Sequence, residues 1–172
     1  YKIKESMLEK LDRGIDLASG TFTGDIINTG SISSPVNGSI NIQTAYVDDP
    51  PAPPTLLDGS IINSATGTLN GQTGIWIGDS DQGAISVTGN IVNHGTILGS
   101  WAGVAIDLGA IVDGYLTNSG TIVGPGGSTS PGVYIHGAST LSGGITNSGT
   151  ISGPAGHALV VSDDSRVPHI HI

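Results

Sequence analysis

The sequence predicts an all-β protein: a parallel β-solenoid with three short strands per turn and about five to six turns, preceded by a short amphipathic helix. Three observations lead there. First, an eleven-residue motif recurs down the chain as "GDIINTGSISS" (Gly24–Ser34), "GSIINSATGTL" (Gly59–Leu69), "GNIVNHGTILG" (Gly89–Gly99), "GYLTNSGTIVG" (Gly114–Gly124) and "GGITNSGTISG" (Gly143–Gly153). Second, the apolar residues are small and largely β-branched: 22 Ile in 172 residues against 4% aromatics. That composition favours strands and thin aliphatic layers over a bulky centre. Third, 28 Gly, together with Asn, Asp and Ser, break the apolar runs every few residues, which is strand-and-turn punctuation.

Residues 1–14 stand apart from the rest. Ile3, Met7, Leu8, Leu11 and Ile15 recur at helical spacing, with Lys4, Glu5, Glu9, Lys10 and Asp12 on the other side, so a helix is expected from Lys2 to about Asp12, ended by Gly14. Such a helix either covers the first layer of the coil or docks as an arm on another subunit. The chain opens on Tyr1 without a signal-like apolar stretch, and the expectation is a processed or excised segment.

Residues 15–172 form the solenoid domain. Its repeated asparagines, Asn28, Asn63, Asn93, Asn118 and Asn147, are separated by 35, 30, 25 and 29 residues. A drifting period with a fixed minimum implies a coil of constant circumference and loops of variable length. Between the copies, "GIWIGDSDQGAISVTG" (Gly74–Gly89), "GVAIDLGAIVDG" (Gly103–Gly114) and "GVYIHGASTLSGG" (Gly132–Gly144) are versions of one another. Each unit thus holds a Gly-Val-x-Ile strand, a strand leading into the Asn, and a Gly-Thr-Ile strand. In a parallel coil each strand pairs with its equivalent one turn away, at about 4.8 Å, so equivalent positions stack. Ile32, Leu69, Ile97, Ile122 and Ile151 are predicted to form one interior column; Ile26, Ile61, Ile91, Tyr115 or Leu116, and Ile145 feed a second.

The asparagines belong at a corner. Asn tolerates left-handed backbone and bonds neighbouring main-chain groups, and the following Gly30, Gly95, Gly120 and Gly149 supply a second unusual dihedral. Stacked Asn side chains can bond one another as a ladder. In the copy at Asn63, "NSATG" inserts two residues before its Gly, which predicts a bulged corner. The stretch at about 46–58 carries Pro50, Pro51, Pro53 and Pro54. It is expected to be a projecting loop of polyproline character, either an inert insertion or a recognition protrusion, since proline removes a ladder donor.

Charge and composition exclude several functions. The net charge is −9. From Gly14 onward there are eleven Asp, no Glu and one Arg, giving −11 + 1 = −10, a surface that repels phosphate backbones and anionic headgroups. No Cys is present, so disulfides, thiolate zinc sites and cysteine nucleophiles are impossible. No apolar run approaches the ~20 residues of a membrane-spanning helix.

A search for chemistry finds short acidic pairs and scattered histidines. Asp79 and Asp81, Asp163 and Asp164, and Asp48 and Asp49 could be acid pairs, yet Asp in Gly/Ser-rich segments is ordinary turn chemistry. Only Arg166 could serve as a lyase base. His169 and His171 would share one strand face as a two-ligand start for a metal, while His94, His136 and His157 occupy separate layers. There is no Gly-x-Ser-x-Gly elbow and no calcium-binding nonapeptide repeat; "NGS" at Asn37–Ser39 matches a glycosylation acceptor. No cofactor, metal site or catalytic residue is expected.

The Asn-Ser-Gly-Thr-Ile copies alternating with Gly-Val-x-Ile segments, over roughly Gly14 to Val161, resemble the passenger regions of bacterial autotransporters and related secreted β-helix adhesins. The resemblance implies a right-handed parallel β-helix displayed outside a Gram-negative-type cell, and lack of Cys suits a passenger exported unfolded. The Lys-bearing opening helix is not a usual feature of such passengers. The leading functional expectation is a non-enzymatic extracellular stalk or filament built by end-to-end stacking. The C-terminal "HALVVSDDSRVPHIHI" is apolar and strand-like, and open strand edges recruit further β chains. The alternative is an adhesin that binds host or surface glycans through Trp76, Trp101 and Tyr134; a polysaccharide lyase or hydrolase ranks behind both.

Overall fold

The computed structural model describes residues 14–45, 53–78, 83–125, 130–154 and 156–172. The predicted helix and the greater part of the proline-rich stretch (46–52) lie outside the described residues, as do Asp48, Asp49, Asp79 and Asp81. Everything described is strand, turn or coil, wound into a parallel β-solenoid of about five turns.

Three walls run the length of the coil, and every strand pair in them is parallel. The first contains β1 (Ile15–Ala18), β4 (Ser31–Gln43), β7 (Thr68–Ile77), β10 (Thr96–Ile106), β13 (Thr121–Val123) and β17 (Thr150–Ser152), extended by β14 (Val133–Ile135) and β18 (Leu159–Val161). The second contains β2 (Gly20–Thr23), β5 (Thr55–Asp58), β8 (Ile85–Val87), β11 (Ile111–Val112) and β15 (Thr140–Leu141). The third contains β3 (Ile26–Asn28), β6 (Ile61–Asn63), β9 (Ile91–Asn93), β12 (Tyr115–Asn118), β16 (Gly144–Asn147) and β19 (Ile170–His171).

Three strands per turn is therefore the observed number, but their grouping differs from the sequence expectation. The Gly-Thr-Ile and Gly-Val-x-Ile segments belong to one wall and fuse into the long strands β4, β7 and β10. The second wall is made instead by segments such as Ile85–Val87 and Thr140–Leu141. A further correction falls on the proline-rich stretch, where Thr55–Asp58, expected within the loop, forms β5 between β2 and β8. Past Pro54 every residue again has an N–H to give to the ladder, and Leu57 enters the core at 1% exposure.

The predicted columns are present. Ile32, Leu69, Ile97, Ile122 and Ile151 pair in register from turn to turn. The second column runs Ile26, Ile61, Ile91, Leu116, Ile145, which decides between the two candidates at its fourth place: Leu116 is buried, whereas Tyr115 pairs with Gly144 and lies exposed. The fully buried apolar residues are all aliphatic, and the fully buried polar ones are Asn, Ser and Thr.

Candidate functional site

One corner of the coil is built from asparagine. Asn28, Asn63, Asn93, Asn118 and Asn147 stack in register. Each Nδ2 donates to the Oδ1 of the next, at 2.8, 2.8, 2.7 and 2.7 Å. Each also donates to the carbonyl of a glycine in its own turn: Gly30, Gly67, Gly95, Gly120 and Gly149. The inserted Ala65 and Thr66 are absorbed by a tight turn closed by the Gly67 N–H on the Ser64 carbonyl at 2.8 Å, and the ladder passes that corner unbroken.

One reading of this corner needs correcting. Neither the five asparagines nor Gly30, Gly95, Gly120 and Gly149 have positive φ. Asparagine is used for its amide, not for left-handed backbone. Glycine is used because turns stack too closely for a side chain: a Cβ at Gly95 would land on the Gly67 carbonyl oxygen, one at Gly120 on that of Gly95, and one at Gly149 on that of Gly120. The corner performs geometry.

The three aromatic residues singled out as ligand contacts meet on the outer face of the first wall. Register places Trp76, Ala105 and Tyr134 one above another. Between Gly99 and Ala102, β10 carries one more residue than β7, a β-bulge that turns Trp101 outward. Its ring fills the gap left by Ala105, which is fully buried. Trp76 and Trp101 lie 5.6 Å apart between ring centroids at 52°, and Trp101 meets Tyr134 edge to face at 5.2 Å. All three are half-buried.

The strip continues into a cluster that sequence reasoning missed. Tyr134 stacks on His136 at 5.0 Å and 15°. The His136 imidazole bridges two carboxylates from the turns on either side: Nδ1 is 2.8 Å from Asp107 Oδ1, and Nε2 contacts Asp163 Oδ2. The hydrogen bond to Asp107 is the main cause that raises the His136 pKa above the ordinary imidazole value of 6.5. The Tyr134 hydroxyl is pushed up in turn by burial, then by the Asp107 and Asp163 charges. With both ring nitrogens directed at carboxylates, the site favours the protonated form of His136. Aligning "GVAIDLG" with "GVYIHG" places Asp107 beside His136 in the sequence itself; the Asp163 contact crosses to a turn without that motif.

The remaining candidates stay separate. His169 packs on the Tyr115 ring at 5.8 Å, and His171 sits on exposed β19. Among the described residues no three His, Asp or Glu side chains converge as a metal site. Asp163 and Asp164 adjoin in positive-φ turn conformation, at 53° and 59°, as turn chemistry predicts. No helix of the described residues is long and apolar enough to cross a membrane. Comparison with protein-family models, with curated proteins and with solved structures returns no match.

Proposed function

We propose that this chain is a non-enzymatic extracellular structural module, a right-handed β-helix of the autotransporter-passenger kind that forms a stalk or filament at a bacterial outer surface by stacking strand ends. The observation that carries this reading is the axial register. Equivalent residues repeat through about five turns, and among the described residues the outermost strands are paired on one side only: β1, β2 and β3 at one end, β17, β18 and β19 at the other. Unpaired edges of this kind recruit further β structure, and a coil on a coil is a heterologous contact that propagates.

The chemistry of the two ends supports a second copy as the recruit. At the first turn, Ile15, Leu17, Phe22 and Ile26 line a hollow of about 410 Å³. At the last, Ile170 and Ile172 are 45% and 82% exposed. The surplus of basic residues before Gly14 and the acidic surface after it favour head-to-tail order. The reading is non-enzymatic because Asp107 and Asp163 close on one imidazole instead of facing each other across a cleft as a glycosidase pair would.

The test is a concentration series of the 172-residue chain, followed by light scattering and negative-stain imaging. Stacking predicts rods of uniform width whose length grows with concentration. A chain that keeps a single-chain mass throughout the series refutes it. The second reading, a glycan-binding adhesin, is favoured by the aromatic strip.

A further inference from the structure

We propose that the flank built by Trp76, Trp101 and Tyr134 is a binding site for a neutral glycan chain lying along the coil axis. This deepens and rests on the glycan-binding reading, and it is independent of the stacking role, since the strip lies on the side of the coil and not at its ends.

The rings do nothing for the core. Fully buried apolar positions are filled by Ile, Leu, Val and Ala, and the same column carries Asp16, Asn41 and Val160 in other turns. The fold therefore tolerates polar or small residues there. Yet both tryptophans of the chain meet at this one place, the second from the bulged stretch between Gly99 and Ala102 of β10. Bulges re-aim side chains, and three adjoining half-buried rings on an outer sheet face form an apolar patch of the kind that marks an interaction site.

The rings are also held in place before any ligand arrives. The Trp76 indole N–H donates to the Gly78 carbonyl at 3.1 Å, and the missing Cβ of Gly78 leaves room for that ring, whose nearest atoms would lie 3.1 and 3.2 Å from it. Tyr134 is fixed by Trp101 on one side and by the bridged His136 on the other. Rigid aromatics supply large contact area at small entropic cost.

Shape and charge select the ligand class. Trp76, Trp101 and Tyr134 come from three successive turns of one wall, so they present a row along the axis, one ring per turn, on a sheet flank. A row suits a linear polymer whose units each carry an apolar C–H face, as sugars do. Hydroxyls find partners at the rim in Gln43, Asp16, Asp107 and Asp163, where Gln43 and Asp16 are already joined at 2.9 Å. The net charge of −9 and these carboxylates repel uronates, sialylated chains and phosphates. A cationic ligand is the weaker fit, because Asp107 and Asp163 are already matched by His136 and the rings line up instead of boxing a cation.

Because the chain has only two tryptophans, both on the strip, its tryptophan emission, excited at the red edge where tyrosine does not absorb, reports on this site alone. The experiment titrates the protein with cello-, chito- and manno-oligosaccharides, with polygalacturonate and with tetramethylammonium. A saturable emission change with at least one neutral series, stronger for longer chains and little altered by salt, is expected. By calorimetry, Trp101→Ala and Tyr134→Ala, each checked for native β structure by circular dichroism, should weaken that binding about tenfold or more, as truncation of an aromatic anchor does. Ile111→Ala, exposed on the second wall, should leave it unchanged. No saturable response to any neutral series, a response confined to polygalacturonate or to tetramethylammonium, or native affinity in both folded strip variants would each overturn the proposal.

Discussion

Each corner asparagine engages both ends of its amide. Asn118 accepts from Asn93 at 2.7 Å and donates to the Gly120, Asn147 and Thr150 oxygens at 3.2, 2.7 and 3.1 Å. An amide has two N–H bonds, so three acceptors share them, and the residue is fully buried. Asn118→Ala removes one acceptor from Asn93 and a donor from three oxygens, at a cost of about 2–4 kcal/mol for buried groups left unpaired. Asn118→Asp should be worse at neutral pH, although it is nearly the same shape. Its second carboxylate oxygen would face three oxygens in a site closed to water, and an ionised group there is strongly disfavoured. The same surroundings raise the carboxyl pKa, so the folded state binds the proton more tightly than the unfolded one and stability returns as pH falls. Urea midpoints should rank native above Asn118→Ala above Asn118→Asp at neutral pH, with the Asp variant recovering in acid. An Asp variant as stable as the Ala variant at neutral pH would mean that the ladder is not what holds this corner.

At the scale of the strands, glycine sets how closely the turns approach. Gly103 of the Gly-Val-x-Ile segment opens β10 onto the interior, where a Cβ would lie 2.5 Å from Ile122 Cγ2 and 2.6 Å from the Gly132 oxygen. Gly103→Ala must push one wall away from the column it covers, and overpacking of this kind costs about 1–3 kcal/mol or more. Gly109 offers the contrast, with φ of 81° and open space where a Cβ would sit; Gly109→Ala carries only left-handed strain, about 1–2 kcal/mol. Chemical denaturation should find Gly103→Ala the less stable of the two, and the reverse order would show that dihedral freedom outweighs room. The Asn and Ile columns were legible because every turn repeats the same letters at the same offset from Asn. The reason for the corner glycines was not, since a letter G does not say whether φ or the missing Cβ is required. Nor was the grouping of Gly-Thr-Ile with Gly-Val-x-Ile in one wall, which depends on how sharply β7 and β10 bend. Trp76 and Tyr134 could have been aligned from their Gly-Val-x-Ile segments, but Trp101 stands in a bulged stretch of β10, where no local pattern fixes which way a residue turns.

Across the whole molecule, contacts run between successive turns, so stability is a sum of turns and the interfaces between them, as in other one-dimensional repeat arrays. An inner turn has two such interfaces, and an outermost one has a single described neighbour. The strongest pairing is central, where β7 lies between β4 and β10 along nearly its whole length. At the far end, β19 holds on to β16 through two residue pairs, and the register that sets Ile170 over Ile145 brings Ile172, not another asparagine, above Asn147. The ladder therefore stops at Asn147, and the last turn is held by main-chain pairing, a thin apolar contact and a few side chains, Asp163 on His136, Ser165 on the Ser139 N–H and His169 on Tyr115. Amide hydrogen exchange on the dilute chain should grade accordingly: β7, β9 and β10 exchange last, β17, β18 and β19 first. Stacking adds the missing interface to both ends at once, so raising the concentration into the range where rods form should slow exchange in β1–β3 and β17–β19 while leaving β7 and β10 as they were. Uniform exchange along the dilute chain would mean that the coil opens as one unit, and added protection at only one end would replace head-to-tail stacking with a closed pair joined through that end alone.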